Sequence, residues 1–154
     1  MSSLVARRLG AYRALNCVSR DYARARGVPQ TLDDLSAHLL VHYVARFGGG
    51  RDGFEYQGEG GEMRRVEMRA SITVNSASAY MAACSAGLGI VQCPEVSARA
   101  QLDTGELIEI LPRYHPPALS VSLLFPTRRH TPRRVRVFAD WIAALVQPRL
   151  MAQG

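Results

Sequence analysis

The sequence predicts an α/β fold, and three observations carry that prediction. Short apolar or β-branched runs alternate along the chain with helix-forming stretches. Glycine or proline punctuates most of the changes between them. No internal repeat or heptad seam points to another architecture. The 154 residues suit one globular domain or two small lobes, and nearly half are apolar, enough for a sizeable core.

The elements follow in order. Ala11 to Val18, AYRALNCV, has the composition of a strand, and Ser19 to Arg26 that of a short helix ended by Gly27 and Pro29. TLDDLSAHLL predicts a helix: Thr31 is a good N-cap, Asp34 three residues on makes a short-armed capping box, and Asp33 and Asp34 suit the positive end of the dipole. Leu39 to Val44 is apolar and partly β-branched, a strand. Phe47 to Glu62 is glycine-rich, and the alternating Phe54 and Tyr56 suggest one short strand between turns. Arg64 to Val74 alternates in part and predicts one strand with a charged face. NSASAYMAACSAG is a helix capped by Asn75 or Ser76 and ended by Gly87. Ile90 to Cys93 is a strand stopped by Pro94. Glu95 to Leu102 is helical, closed by the Asp103-Thr104-Gly105 turn. Leu107 to Leu111 is a strand, Pro112 to Pro117 a rigid connector, and Ser120 to Phe125 another strand. In the last helix Thr131 is the N-cap and Pro132 occupies N1. Val135, Phe138, Ile142 and Leu145 form one apolar face, and Pro148 ends it.

The net charge is +6, and every cation is an arginine. The arginines cluster at Arg7-Arg8, Arg20 to Arg26, Arg64-Arg65 and Arg128 to Arg136. No cluster interleaves aromatics as single-strand binders do, and none forms a recognition helix, so direct nucleic-acid binding by this chain is not expected. No apolar run approaches the ~20 residues of a membrane span. MSSLVARRLG has no apolar segment of signal-peptide length, and a cytoplasmic chain is expected. Cys17, Cys84 and Cys93 lie far apart in apolar surroundings and are expected to be buried free thiols. His38, His42, His115 and His130 form no metal pattern: the i,i+4 pair would align on a helix, but the strand LLVHY begins between them. No Gly-x-Ser-x-Gly elbow is present, and Asp33 and Asp34 are better used as caps than as acid and base. Neither catalysis, a metal nor a cofactor is expected.

SAGLGIVQCP, Ser85 to Pro94, contains a Gly-x-Gly step of the kind that cradles phosphates. Its polarity is wrong for that. A phosphate site needs strand, glycines, then a helix N-terminus; here the order is helix, glycines, strand, and the negative end of the dipole faces the turn. Gly87 and Gly89 are therefore structural: Gly87 for the left-handed position after the helix, Gly89 so that the next strand starts close to the helix it has just left. The other end of that helix differs. Asn75 and Ser76 follow a strand directly and lie where open α/β sheets bind ligands. Free amides there hold a carboxylate or another small anion, and capping alone also accounts for these residue types.

Three segments in register resemble the effector-binding domain of LysR-type transcriptional regulators: LVARRLGAYRALNCVSRDYARARGVPQTLDDLSAH, TVNSASAYMAACSAGLGIVQCP and TGELIEILPRYHPPALSVSLLFPTRRHTPRRVRVFADWIAAL. The resemblance runs from about Ser3 to Leu145. Two details depart from the family pattern: Arg20 follows Ser19 where Ser-Pro is usual, and Phe54 stands where a tryptophan is usual. The resemblance implies a periplasmic-binding-protein-like (type 2) lobe, a mixed sheet flanked by helices, plus a C-terminal return segment of a mostly missing first lobe. Residues 1–14 would end the first lobe, 15–111 form the second lobe with its crossing strands, 112–147 return to the first, and 148–154 make a tail. It implies a small-molecule effector, such as an anionic or aromatic metabolite, held between two lobes by Ser19, Tyr43, Asn75 and Ser76. DNA would be met only through a helix-turn-helix domain outside this chain. A free-standing periplasmic-type binding protein is the alternative, and it calls for an export signal. The apolar face of the last helix would need cover from another surface, so a homo-oligomer, or association through exposed first-lobe elements, is expected.

Overall fold

The computed structural model describes residues 4–44, 53–126 and 132–151. The Thr131 cap, His130 and the glycines at 48–50 lie outside them. The elements are β1 (Leu4–Tyr12), β2 (Ala14–Ser19), α1 (Arg20–Arg26), a 3₁₀ turn (Asp33–Ala37), β3 (Leu39–Tyr43), β4 (Gly53–Gln57), β5 (Met63–Glu67), β6 (Arg69–Val74), α2 (Ala77–Ser85), β7 (Val91–Pro94), α3 (Glu95–Thr104), β8 (Leu107–Glu109), β9 (Leu119–Pro126), α4 (Arg133–Val146) and a second 3₁₀ turn (Gln147–Arg149). They form two compact units. Residues 14–117 make one; residues 1–13 with 118–154 make the other.

In the larger unit β2 is central, antiparallel to β7 on one side and to β8 on the other. β3 pairs in parallel with β6, and a parallel bridge from Leu40 to Ile90 sets β3 beside the start of β7. β6, β3, β7, β2 and β8 thus stand side by side. Because strand side chains alternate between faces, this sheet feeds two cores. Leu15, Cys17, Val41, Val74, Val91 and Cys93 face α2 and α3 and pack with Tyr80, Cys84 and Ala98. Val18, Leu40 and Ile90 point the other way, to Tyr22, Leu35, Phe54, Met68 and Ile110. Covered on both faces and flanked on both edges, β2 buries all six of its residues.

Several local features match the chemistry of the sequence. Ser19 caps α1, its Oγ accepting from the Tyr22 amide at 3.1 Å, and Gly27 closes that helix at φ 76°. Gly87 follows α2 at φ 78°; its amide donates to Cys84 O, and the Leu88 amide donates to Ala83 O, the paired bonds of a Schellman ending. Gly105 ends α3 in the left-handed region.

Four expectations are corrected. The strand expected over Ala11 to Val18 is two strands in different units, parted at Arg13. The strand expected over Arg64 to Val74 is also two, because Met68 turns into the core and β5 pairs with β4 while β6 pairs with β3. The helix expected from Thr31 is only a five-residue 3₁₀ turn, since His38 is already extended. Its reciprocal bonds are nevertheless made: the Thr31 amide donates to Asp34 Oδ2 at 2.9 Å, and the Asp34 amide to Thr31 Oγ1 at 3.4 Å. The Gln30 amide, which donates to the same Oδ2 at 2.9 Å, and after it the Thr31 amide and hydroxyl hold the Asp34 carboxyl below its ordinary value. Lastly, Pro132 is the residue before α4 rather than its first.

In the smaller unit β1 and β9 pair antiparallel, with a bulge between Arg8 and Gly10 that turns Leu9 inward. Arg7 pairs with Asp140 of α4 at 2.5 Å, and the Met151 amide donates to Ala11 O at 2.8 Å. α4 buries Ala139 and Ala143 and half-buries Val135, Ile142 and Val146. Phe138 and Leu145, expected on the covered face, are exposed together with Val137 and Trp141. Two apolar stripes run along this helix, and the alanine-bearing one faces the unit's own interior.

Candidate ligand site at the amino end of α2

β3 and β6 are parallel, so their carboxyl ends reach the same edge of the sheet. Tyr43, the last residue of β3, lies opposite Val74, and the Val44 amide donates to Val74 O at 2.9 Å. The chain then turns through Asn75 and Ser76 into α2. Tyr43, Asn75 and Ser76 therefore meet at one exposed corner of the larger unit. They come from segments about thirty residues apart, brought together by parallel pairing.

Ser76 is extended, and its Oγ accepts from the Ala79 amide at 3.3 Å, so Ser76 rather than Asn75 is the cap. Other first-turn amides remain without a helical partner, and no acidic residue stands in the first turn. The dipole leaves this corner positive. Tyr43 is 47% exposed; its ring meets Tyr80 edge-on at a centroid distance of 5.5 Å. Tyr80 is itself fixed, its hydroxyl accepting from the Gln92 amide at 2.8 Å, and burial pushes its phenol well above the ordinary value. The corner thus offers amides, a serine hydroxyl, a carboxamide and one braced aromatic ring, a set suited to a carboxylate on a small planar molecule.

Ser19 is not part of this corner. It is 3% exposed, caps α1 and lies by the other end of α2, where a Cβ built on Gly87 would stand 3.6 Å from its Oγ. α2 is about 13 Å long at 1.5 Å per residue. The structure gathers Tyr43, Asn75 and Ser76 and sets Ser19 apart, beside Arg20, Asp21, Arg24, Ser85 and Glu106. Gly89 is also explained differently from the expectation. A Cβ there would come within 2.7 Å of Leu39 O and 3.1 Å of Leu40 C, so the close neighbour is β3, not α2.

Sequence reasoning missed a buried polar network. Asn16, fully buried in β2, donates through Nδ2 to Tyr114 O at 2.8 Å and accepts from Gln92 Nε2 at 2.8 Å. Gln92 Nε2 also donates to Glu55 O at 2.7 Å, and its Oε1 accepts from the Glu55 amide at 2.9 Å. The network ties β2, β7, β4 and the 111–114 turn to the residue that holds Tyr80. Its signal was present: a single carboxamide interrupts each of the apolar runs ALNCVS and GIVQCP. Cys17, Cys84 and Cys93 are buried free thiols, and burial pushes Cys84 up to about 12, so it is protonated at neutral pH. Among the described residues no three metal-ligating side chains gather, and no helix is long and apolar enough to cross a membrane.

A family model described as the LysR substrate binding domain matches residues 1–147. The chain is 40% identical over 144 residues to the HTH-type transcriptional regulator YhjC of Escherichia coli K12, covering 94% of this chain and 48% of the regulator. The chain spans about half the length of the curated relatives it matches. Among solved structures, it is similar to the regulatory domain of AphB from Vibrio vulnificus, with TM-score 0.71 and 28% identity over 94% of this chain and 70% of that one. It is also similar to full-length AphB, a virulence activator of Vibrio cholerae, with TM-score 0.76 and 25% identity over 94% of this chain and 49% of that one.

Proposed function

The chain belongs to the LysR substrate-binding-domain family, and from that premise we propose that it is the effector-sensing part of a longer, cytoplasmic transcription regulator. In this reading the larger unit is the second effector lobe and the smaller unit is the returning part of the first. Contact with DNA belongs to a helix-turn-helix domain like that of its relatives, which are HTH-type transcriptional regulators. Those relatives favour this reading over a free-standing binding protein.

The observation that carries the reading is the corner formed by Tyr43, Asn75 and Ser76. A positive helix end, a hydroxyl, a carboxamide and an aromatic ring converge there, with no acid in the first turn of α2 to compete. We assign it a small carboxylate, the planar part of the molecule lying against Tyr43. Effector binding changes output only through different affinity for two conformers, so the ligand acts by shifting a population. The relatives' family and the exposed stripe of α4 support assembly into an oligomer.

A thermal-shift screen of small aliphatic and aromatic carboxylates tests this. A ligand that raises the melting temperature of the wild type is expected to give no shift with the Asn75→Ala/Ser76→Ala variant. Loss of the cap lowers that variant's own stability by about 1 kcal/mol. An undiminished ligand shift in the variant would reduce both residues to caps and place the effector elsewhere.

A further inference from the structure

We propose that Tyr22 and His38 form a pH-sensitive latch that holds the amino end of β3 and releases it in mild acid. Tyr22 projects from α1 and is 2% exposed; His38, the residue before β3, is 7% exposed. Tyr22 Oη and His38 Nδ1 are 3.0 Å apart, and the Leu39 amide donates to the same Tyr22 oxygen at 2.9 Å.

The bonding assigns the protons. The Leu39 N–H can only donate, so the Tyr22 oxygen accepts from it. The Tyr22 proton then has His38 Nδ1 as its acceptor, and among the described residues it makes no other bond. Nδ1 is therefore unprotonated, and the ring carries its hydrogen on Nε2. A second proton would go onto Nδ1. It would turn the acceptor into a donor aimed at the Tyr22 oxygen, strand the Tyr22 proton in a buried site, and place a cation where water hardly reaches.

Two neighbouring charges act on the ring with opposite sign. Burial holds His38 below its ordinary value of 6.5; Asp34 of the 3₁₀ turn opposes this, and Arg26 of α1 reinforces it. These are the charged groups that act on the ring. The neutral ring is the one the fold holds. As pH falls below the ordinary value, the unfolded or opened form takes up the proton first, so acid favours opening. What opens is local: α1 and β3 are joined here across the segment from Gly27 to Ala37, and Leu39 begins the pairing of β3 with β6. Tyr43 stands at the far end of the same short strand.

Amide hydrogen exchange and ring ¹⁵N shifts of the whole chain test the latch. Between about pH 7.5 and about pH 5, Leu39 protection, corrected for the intrinsic rate, is expected to fall roughly tenfold while that of Val91 in β7 holds. The ring shifts at neutral pH are expected to report a proton on Nε2. His38→Gln keeps a neutral acceptor for Tyr22 and is expected to abolish the fall, whereas Tyr22→Phe removes the acceptor of the Leu39 amide and is expected to lower its protection already at about pH 7.5. Constant Leu39 protection in the wild type, a ring proton on Nδ1 at neutral pH, or an undiminished fall in His38→Gln would each overturn the proposal. The wild-type measurements decide it even if a variant does not fold.

Discussion

Gly87 and Gly89 stand two residues apart and resist substitution by different physics. At Gly87 the backbone is left-handed, φ 78°, but there is room: the nearest atoms to an added Cβ are 3.6 and 3.7 Å away. Alanine there is expected to cost about 1 kcal/mol in backbone energy, and asparagine less, because it tolerates this region. At Gly89 the carbonyl of Leu39, 2.7 Å from an added Cβ, is backbone and cannot step aside. Alanine is expected to cost about 2 kcal/mol or more, and asparagine no less. Denaturant titration of the four variants checks this; equal responses to asparagine at the two positions would contradict it. Asn16 is a second residue-scale case. Asn16→Ala leaves the Tyr114 carbonyl without this donor and removes one acceptor of Gln92 Nε2, for an expected loss of about 2 kcal/mol. Through Gln92 it is also expected to loosen Tyr80, visible as faster flipping of the Tyr80 ring in NMR spectra.

At the scale of elements, α4 is the informative one. Its covered stripe is built from small residues, Ala139 and Ala143, which let the helix lie close to its own unit. Its other stripe exposes Phe138 by 60% and Trp141 by 58%, their rings 5.7 Å apart, beside Val137 and Leu145. Fully burying one such side chain is worth roughly 1.5–3 kcal/mol, so association that covers this stripe is the expected outcome. The double change Phe138→Glu/Trp141→Glu is expected to shift the chain toward monomer in sedimentation velocity while leaving its melting temperature nearly unchanged. A wild type that is monomeric at high micromolar concentration would refute this. α2 is the contrasting element, since both of its ends were legible. The hydroxyl of Ser76 and the left-handed Gly87 are local devices whose chemistry does not depend on what packs beside them. The turn at Asp33 shows the limit of that logic: its capping bonds form as expected, but only one buried anchor, Leu35, follows before the chain extends, so no α-helix propagates.

For the whole molecule, core and charge are unevenly divided. The larger unit holds both main hydrophobic clusters, while among the described residues the smaller buries little beyond Leu9, Ala139 and Ala143. By sequence the smaller unit carries nine arginines against Asp140 alone; the larger carries ten against twelve carboxylates. The unit with the thinner core thus bears the self-repulsion. Calorimetry of the full chain is expected to show two transitions, with the lower one moving up as salt rises and the upper one nearly salt-independent. A single salt-insensitive transition would show that the two units unfold as one.

Local chemistry was enough to determine the α/β class, the ends of α1 and α2, and the glycine after each of the three helices of the larger unit; the family was legible only as the resemblance of three segments in register. Each of these depends on a residue's own φ, its cap or its neighbours in sequence. Only the tertiary structure decided that β2 is buried on every side, because a strand covered on both faces loses the alternation by which strands are read. It also decided that the chain changes unit at Arg13, that Gly89 makes room for β3, and that Tyr43 belongs with Asn75 and Ser76 while Ser19 does not. Those outcomes rest on which strands pair across long stretches of chain, and that pairing is chosen by how the two cores fill on either side of the sheet.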